Sequence, residues 1–183
     1  MTITAIISSP RRNGWGESIT SKIIEGARAT GKEVRVHRLN DMTDYKQCQN
    51  CECCKQDGQC ILDDDLNKVI ENIRDCESLI VCTSISFNEV NGLFKMMQDR
   101  MYCFLDINAS TILPKGKKLA TVVTAGLDSG SAERVSAGLE KVFREHFFFE
   151  PVGRIAYTGW MMPLDMPIDE NVLNEAFDIG GRL

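Results

Sequence analysis

The feature that most restricts the fold is the run from Ser78 to Thr83, a continuous apolar stretch of the kind expected for a strand covered on both faces by helices. On either side of it, short β-type segments alternate with stretches of helical periodicity. Thr2 to Ser8, rich in Ile and Thr, predicts strand one and stops at Ser9-Pro10. From Ser18 onward Ile19, Ile23, Ile24 and Ala27 share a helical face, and Gly31 stands where a helix stop is expected. Glu33 to Leu39 predicts strand two. Leu66, Val69, Ile70 and Ile73 repeat at i, i+3, i+4 and i+7 behind Asp63, Asp64 and Asp65, whose carboxylates suit the positive end of a second helix. After the central strand the pattern predicts a helix from about Gly92 to Leu105, a strand Leu119 to Thr124, a helix from about Ala132 to Glu145 and a last strand Pro151 to Tyr157. The tail after Tyr157 carries no recognisable motif.

Five strands alternating with four helices predict an α/β chain with a parallel sheet, because right-handed crossovers bury both faces. With 183 residues, 43% of them apolar, one domain over residues 1–183 is expected, carrying a cysteine-rich insertion at about 40–63. The net charge of -5 argues against a nucleic-acid partner, since phosphate backbones are bound through clustered Lys and Arg. No apolar run approaches the length of about 20 residues that crosses a bilayer. The N-terminal charges follow the apolar stretch, the wrong order for a signal peptide, so a cytoplasmic protein with no membrane partner is expected. In that reducing compartment eight cysteines read as thiols, metal ligands or redox centres rather than structural disulfides.

Ligands of open parallel sheets bind outside the carboxyl ends of the strands, where the strand order switches. Three polar loops follow strands there. Loop one, Ser8 to Ser18, offers hydroxyls, free amides and Arg11 at a helix start, which suits a phosphomonoester. It lacks the third glycine of the dinucleotide fingerprint and the Gly-Lys-Ser/Thr ending of the P-loop. Loop two, Thr83 to Gly92, mixes hydroxyls, an amide and the Phe87 ring, as needed to bond a polar flavin edge and cover its apolar face. Loop three, Thr124 to Gly130, supplies close-approaching glycine backbone.

The chain resembles the flavodoxin-fold NAD(P)H-dependent FMN reductases, and among them the iron-sulfur flavoproteins. Ser9-Pro10-Arg11 and, after an insertion, Gly16-Glu17-Ser18 resemble the family's first loop; Phe87, Gly92, Lys95, Asp99 and Arg100 keep the register of its second loop and helix. Ser84, Ser86, Asn88 and the Trp15 of loop one depart from that pattern. The resemblance covers roughly residues 2–130. It implies a flavodoxin-like doubly wound five-stranded parallel sheet of order 2-1-3-4-5. It also implies FMN held at its phosphate by Ser9, Arg11, Asn13, Gly16, Glu17 and Ser18. The ring would be held by Ser84, Ile85, Ser86, Phe87, Asn88 and Glu89 and by Thr124, Ala125, Gly126 and Gly130. A homodimer or homotetramer with flavin near the interface is implied as well. The flavin carries the chemistry, so no catalytic side chain is assigned.

The segment Asn40 to Asp63 is long for a loop and holds five of the eight cysteines. Cys48, Cys51, Cys54 and Cys60, with Cys53 as a fifth thiol, look like the cluster motif of the iron-sulfur flavoproteins. Four thiolates within thirteen residues can wrap a [4Fe-4S] cluster, because short spacings let successive sulfurs converge. Zinc and redox-labile free thiols are the competing readings. Cys76, Cys82 and Cys103 lie on apolar segments and read as core; His37 and His146 read as structural or surface residues. Phe147-Phe148-Phe149 and Trp160-Met161-Met162 read as core, with a subunit contact or a flavin roof as alternatives.

The expected function is an FMN oxidoreductase with a cluster on the cysteine loop, exchanging electrons with a small molecule or a ferredoxin. A cluster-free NAD(P)H-dependent FMN or quinone reductase and a non-enzymatic electron carrier are the alternatives.

Overall fold

The computed structural model describes residues 2–126, 129–159 and 166–183. Its strands are β1 (Thr2–Ile7), β2 (Glu33–Arg38), β3 (Ser78–Ser86), β4 (Glu89–Val90), β5 (Lys118–Ala125) and β6 (Glu150–Thr158). Its helices are α1 (Trp15–Ala29), α2 (Leu66–Asp75), α3 (Gly92–Arg100), α4 (Ser129–Phe147) and α5 (Glu170–Arg182). Five strands run parallel in the order β2-β1-β3-β5-β6.

The central strand follows from its letters. Leu79 and Val81 face a cluster formed with α2, α3 and α4, including Leu66, Phe94 and Phe143. Ile80 and Cys82 face the opposite cluster, formed with α1 and α5 and including Ile19, Ile23 and Ile179. Successive side chains of a strand point to opposite faces, so a strand buried on both sides has no polar alternate positions.

Two features correct the expected sheet and helix count. A sixth strand, β4, turns back antiparallel on the end of β3, pairing Ile85 with Val90 and Ser86 with Glu89. The order in running numbers is therefore 2-1-3-5-6, not 2-1-3-4-5. Phe87 and Asn88 make the reversal with φ of 51° and 66°. A two-residue hairpin of this kind is usually announced by Asn-Gly or Asp-Gly, a signal Phe-Asn does not send.

The second is α5, in the tail that carried no motif. Asp169 starts it by accepting the Asn171 amide at 2.8 Å, and Ala176 and Ile179 are buried against the sheet. Gly180 and Gly181 lower the intrinsic helix propensity of its end, so its existence depends on what it packs against. The other boundaries move little: α1 begins at Trp15 rather than Ser18, and α3 ends at Arg100 and tightens into a 3-10 turn over Met101–Phe104.

Candidate functional site

The strand order switches between β1, which Ser8 follows, and β3, which ends at Ser86. The Ser8 amide donates to the Cys82 carbonyl at 2.9 Å, carrying the pairing one residue beyond β1. Asn91, before the first residue of α3, stitches the two loops together. Its Nδ2 donates to the Ser8 carbonyl at 2.9 Å and to Ser84 Oγ at 3.1 Å, while its Oδ1 accepts the Phe94 amide at 3.0 Å. Sequence reasoning placed Asn91 in loop two without giving it a role. An Asn just before a helix start is an N-cap signal that could have found it.

Above these strand ends lies a cavity of about 310 Å³. Nine of the predicted cofactor residues line it: Ser9, Arg11, Gly16, Ser84, Ile85, Ser86, Thr124, Ala125 and Gly126. Pro10, Gly14 and Trp15 line it too and had not been assigned there. The N-terminus of α1 opens onto it, and the N-cap residue Gly14 makes no side-chain cap. First-turn amides of a helix have no intrahelical acceptor, so this end is suited to an anion. A Cβ at Gly16 would stand 2.9 Å from Cys82 Sγ and 3.4 Å from Thr124 Oγ1. The missing side chain is what lets the helix end seat directly on β3 and β5.

The other seven predicted residues do not line the cavity. The Asn13 amide donates to Glu17 Oε2 at 2.5 Å, and Glu17 pairs with Arg38, which also reaches Asp41 at 3.5 Å. This network holds Asn13 and Glu17 as the frame of loop one. The Ser18 amide is taken up by the Gly14 carbonyl at 2.9 Å as α1 begins. Phe87 stands fully exposed at the hairpin tip, with exposed Glu89 behind it, and Asn88 Oδ1 accepts Ser131 Oγ at 2.8 Å. Gly130 belongs to the first turn of α4. Leu127 and Asp128 of loop three lie outside the described residues. Trp15 is braced on the far wall: its ring meets Tyr157 edge-on at 5.3 Å, and its Nε1 donates to the Met166 carbonyl at 3.3 Å.

The cysteine loop is laid against α3 and the turn that follows. Tyr45 Oη donates to the Leu93 carbonyl at 2.6 Å. Lys55 Nζ donates to the carbonyls of Tyr102 and Leu105 at 2.9 and 2.6 Å and lies 3.4 Å from the Tyr102 ring centroid. Cys51 and Cys53 are exposed, Cys48 and Cys60 are half-buried and Cys54 is buried. Hydrogen bonding from Cys53, its amide first and then its thiol, lowers the Cys51 thiol, and the same pairing raises Cys53. Among the described residues no three His, Cys, Asp or Glu side chains converge as a group that could hold a metal ion. A larger cavity, about 550 Å³, lies between this loop and helices α3 and α4, lined by Cys48, Lys95, Tyr102 and His146 among others. Its size exceeds that of the strand-end cavity, but it has no helix N-terminus opening into it and lies off the switch point.

The remaining cysteines sit in the core. Burial pushes Cys82 up to about 11 and Cys103 up to about 12, and raises Cys76. These three should stay protonated at neutral pH, and iodoacetamide at pH 8 should label Cys51 and Cys53 well before any of them. Peptide mass spectrometry reads the order, and early labelling of Cys82 would refute it. His37 is held by Asn72 Nδ2 at 2.7 Å, with burial first and then Lys68 and Arg35 lowering its pKa. Phe147 and Phe149 are core, while Phe148 is half exposed. Trp160, Met161 and Met162 lie outside the described residues.

Among the described residues no helix is long and apolar enough to cross a membrane. An iron-sulfur flavoprotein of Archaeoglobus fulgidus is 28% identical over 139 residues, 76% of this chain and 66% of the relative. One from Methanocaldococcus jannaschii is 25% identical over 100 residues, 55% of this chain and 51% of that protein. The match thus spans between half and two thirds of these relatives' length. Among solved structures, an NAD(P)H:quinone oxidoreductase from Methanothermobacter marburgensis superposes with a TM-score of 0.73 at 18% identity, covering 100% of this chain and 95% of the other. An FMN-dependent NADH-azoreductase from Bacillus anthracis gives 0.71 at 10% identity, covering 100% and 97%. At such identities the likeness speaks for the flavodoxin-like fold. Residues 1–159 match the family model described as NADPH-dependent FMN reductase, and with most of its length so matched the chain belongs to that family.

Proposed function

We propose that this chain is an FMN-dependent oxidoreductase whose flavin sits in the strand-end cavity, with the 183 residues forming one domain and the segment at about 40–63 an insertion in it. The observation that carries the reading is the meeting of three loops on one cavity at the switch point, under the N-terminus of α1. The donors fit a phosphomonoester: first-turn amides, the Ser9 hydroxyl and Arg11. Ser84, Ser86 and Thr124 offer hydroxyls to a polar ring edge beside the apolar Ile85 and Ala125. When bound, the flavin supplies acceptance and release of one or two electrons. The protein's part is to hold the phosphate, present one ring face to the partner molecule and tune the ring by hydrogen bonds. NAD(P)H or a small acceptor fits this role.

Arg11 provides the direct test. Arg11→Ala should weaken FMN by about tenfold to a hundredfold, the range of a lost charge-assisted bond, and leave riboflavin binding unchanged. Flavin fluorescence titrations with both ligands measure this. Equal losses for FMN and riboflavin, or none for either, would remove Arg11 from the phosphate site.

The cysteine loop belongs to the same proposal. Four thiols within thirteen residues have the donor chemistry of a [4Fe-4S] site, and the named iron-sulfur flavoproteins are relatives. Their present arrangement does not fit one, since no three ligands converge. On this reading Cys48, Cys51, Cys54 and Cys60 draw together only with the cluster, and a ferredoxin is a fitting donor. The spread of the thiols favours a second reading, a cluster-free NAD(P)H-dependent reductase. One visible spectrum of protein purified without air, with iron and sulfide assays, separates them. A homodimer or homotetramer in the cytoplasm completes the proposal, and a monomer of 20.5 kDa on gel filtration would defeat the oligomer.

A further inference from the structure

We propose that Arg100 is the positioning residue of the cysteine loop: from the end of α3 its guanidinium clasps the entry and the exit of the loop. The side chain is buried, with 1% of the residue exposed. Nη1 donates to the Lys46 carbonyl at 2.9 Å, two residues before Cys48. On the exit side Nη1 and Nη2 meet Asp64 Oδ2 and Oδ1 at 2.6 and 3.1 Å, and Nη2 also reaches Asn67 Oδ1 at 2.8 Å. Asp64 closes the ring by accepting the Lys46 amide at 3.0 Å and the Leu66 amide at 3.1 Å. Every donor position of the fork is thus committed except Nε, which is buried and has no hydrogen-bond partner. A buried unpaired donor is costly, and the bonds that Nη1 and Nη2 make to the loop and to α2 must offset that cost.

The consequence reaches beyond a single contact. Cys48 and Cys60 bracket the cysteine motif, and the strap from Lys46 to Asp64 is tied at both ends to one rigid group. Lysine could keep the charge opposite Asp64, but a single ammonium cannot bond two carboxylate oxygens, an amide oxygen and a carbonyl in one plane. α3 thereby ties two regions together: Asn91 at its start binds the strand-end loops, and Arg100 at its end binds the cysteine loop. A nine-residue helix is about 13 Å long, which sets the separation of these two anchors.

The loop anchoring stands on geometry alone; that Cys60 serves a cluster rests on the function proposed above. The test compares the native protein with Arg100→Lys, and with Val69→Ala, on α2 and outside residues 46–62, as a core variant that lowers stability. Hydrogen exchange over residues 46–62 and the rate of Cys60 alkylation, read peptide by peptide, are the measurements, with iron and sulfide assayed on the same samples. Arg100→Lys should speed both exchange and Cys60 alkylation by about tenfold or more, while Val69→Ala leaves them near native values. Loop exchange and Cys60 labelling within twofold of native in Arg100→Lys, or an equal rise in Val69→Ala, would overturn the inference. If Arg100→Lys fails to fold, Asn67→Ala removes one anchor and should shift the same readouts in the same direction; no shift there also overturns it. Native protein without iron defeats the cluster reading and leaves the anchoring to be judged on the exchange data.

Discussion

Replacing Asp64 by alanine is expected to cost about 3–5 kcal/mol of folding stability, the usual loss when one partner of a buried ion pair is removed. Both side chains of the Arg100–Asp64 pair are 0% exposed, so the guanidinium left behind could recover little from solvent. The amides of Lys46 and Leu66 would lose an acceptor at the same time. For a chain of this length the loss corresponds to a fall in Tm on the order of 10 °C. Urea or thermal unfolding measures it. A loss below about 1 kcal/mol would mean that water reaches the pair and that the buried clasp is not as described. The neighbouring Asp65 behaves differently: the Asp44 and Thr43 amides lower its pKa, and the group is exposed. Because its folded pKa lies below the unfolded one, its contribution is present above the ordinary carboxylate range and lost as pH falls through the folded value. Fraying of the 43–46 segment on acidification, followed by hydrogen exchange, should begin only below pH about 4.

The second large effect is expected at the crossing of α1 and α5. A Cβ at Gly26 would lie 2.0 Å from the Phe177 carbonyl oxygen, and one at Gly180 would lie 2.0 Å from the Ile23 carbonyl oxygen. The two helices therefore touch backbone to backbone, and neither clash can be relieved by turning a side chain. Gly180→Val should cost about 3 kcal/mol or more, at the upper end of overpacking losses, by forcing α5 off the sheet face it covers. Circular dichroism should register a loss of helix, and proteolysis should cut within 166–183 first. Gly181→Val is the control, since a Cβ at Gly181 meets nothing within 4 Å. Equal losses at the two glycines would mean that helix propensity, and not the crossing, decides the cost.

The same pair of helices marks the limit of what the letters say. Single-residue patterns were enough for the parallel sheet, because Ser78–Thr83 has apolar residues at every interior position and the flanking helices have clear apolar faces. The three loops that meet above β1, β3 and β5 were also legible, since a parallel sheet places every strand end on one edge. α5 was not legible, because its glycines weaken it in isolation and Gly180 is required only by α1, about 150 residues away in the chain. The hairpin at Phe87-Asn88 escaped for a related reason: its left-handed backbone is imposed by pairing with β3 and not by the residues that adopt it.

Sequence by itself determined the fold class, the strand-end meeting of the three loops and the chemistry of the side chains they carry, all of which depend on residue type and local spacing. Tertiary structure alone decided which of those residues face the cavity. Glu17 and Asn13 are drawn into the frame by Arg38, and Trp15 is turned into the wall by Tyr157 and Met166. It also decided that Arg100, thirty-six residues from Asp64, is the group on which the cysteine loop is fixed. Burial and long-range hydrogen bonding act between residues that no local window contains, and so these choices become visible only once the chain has closed on itself.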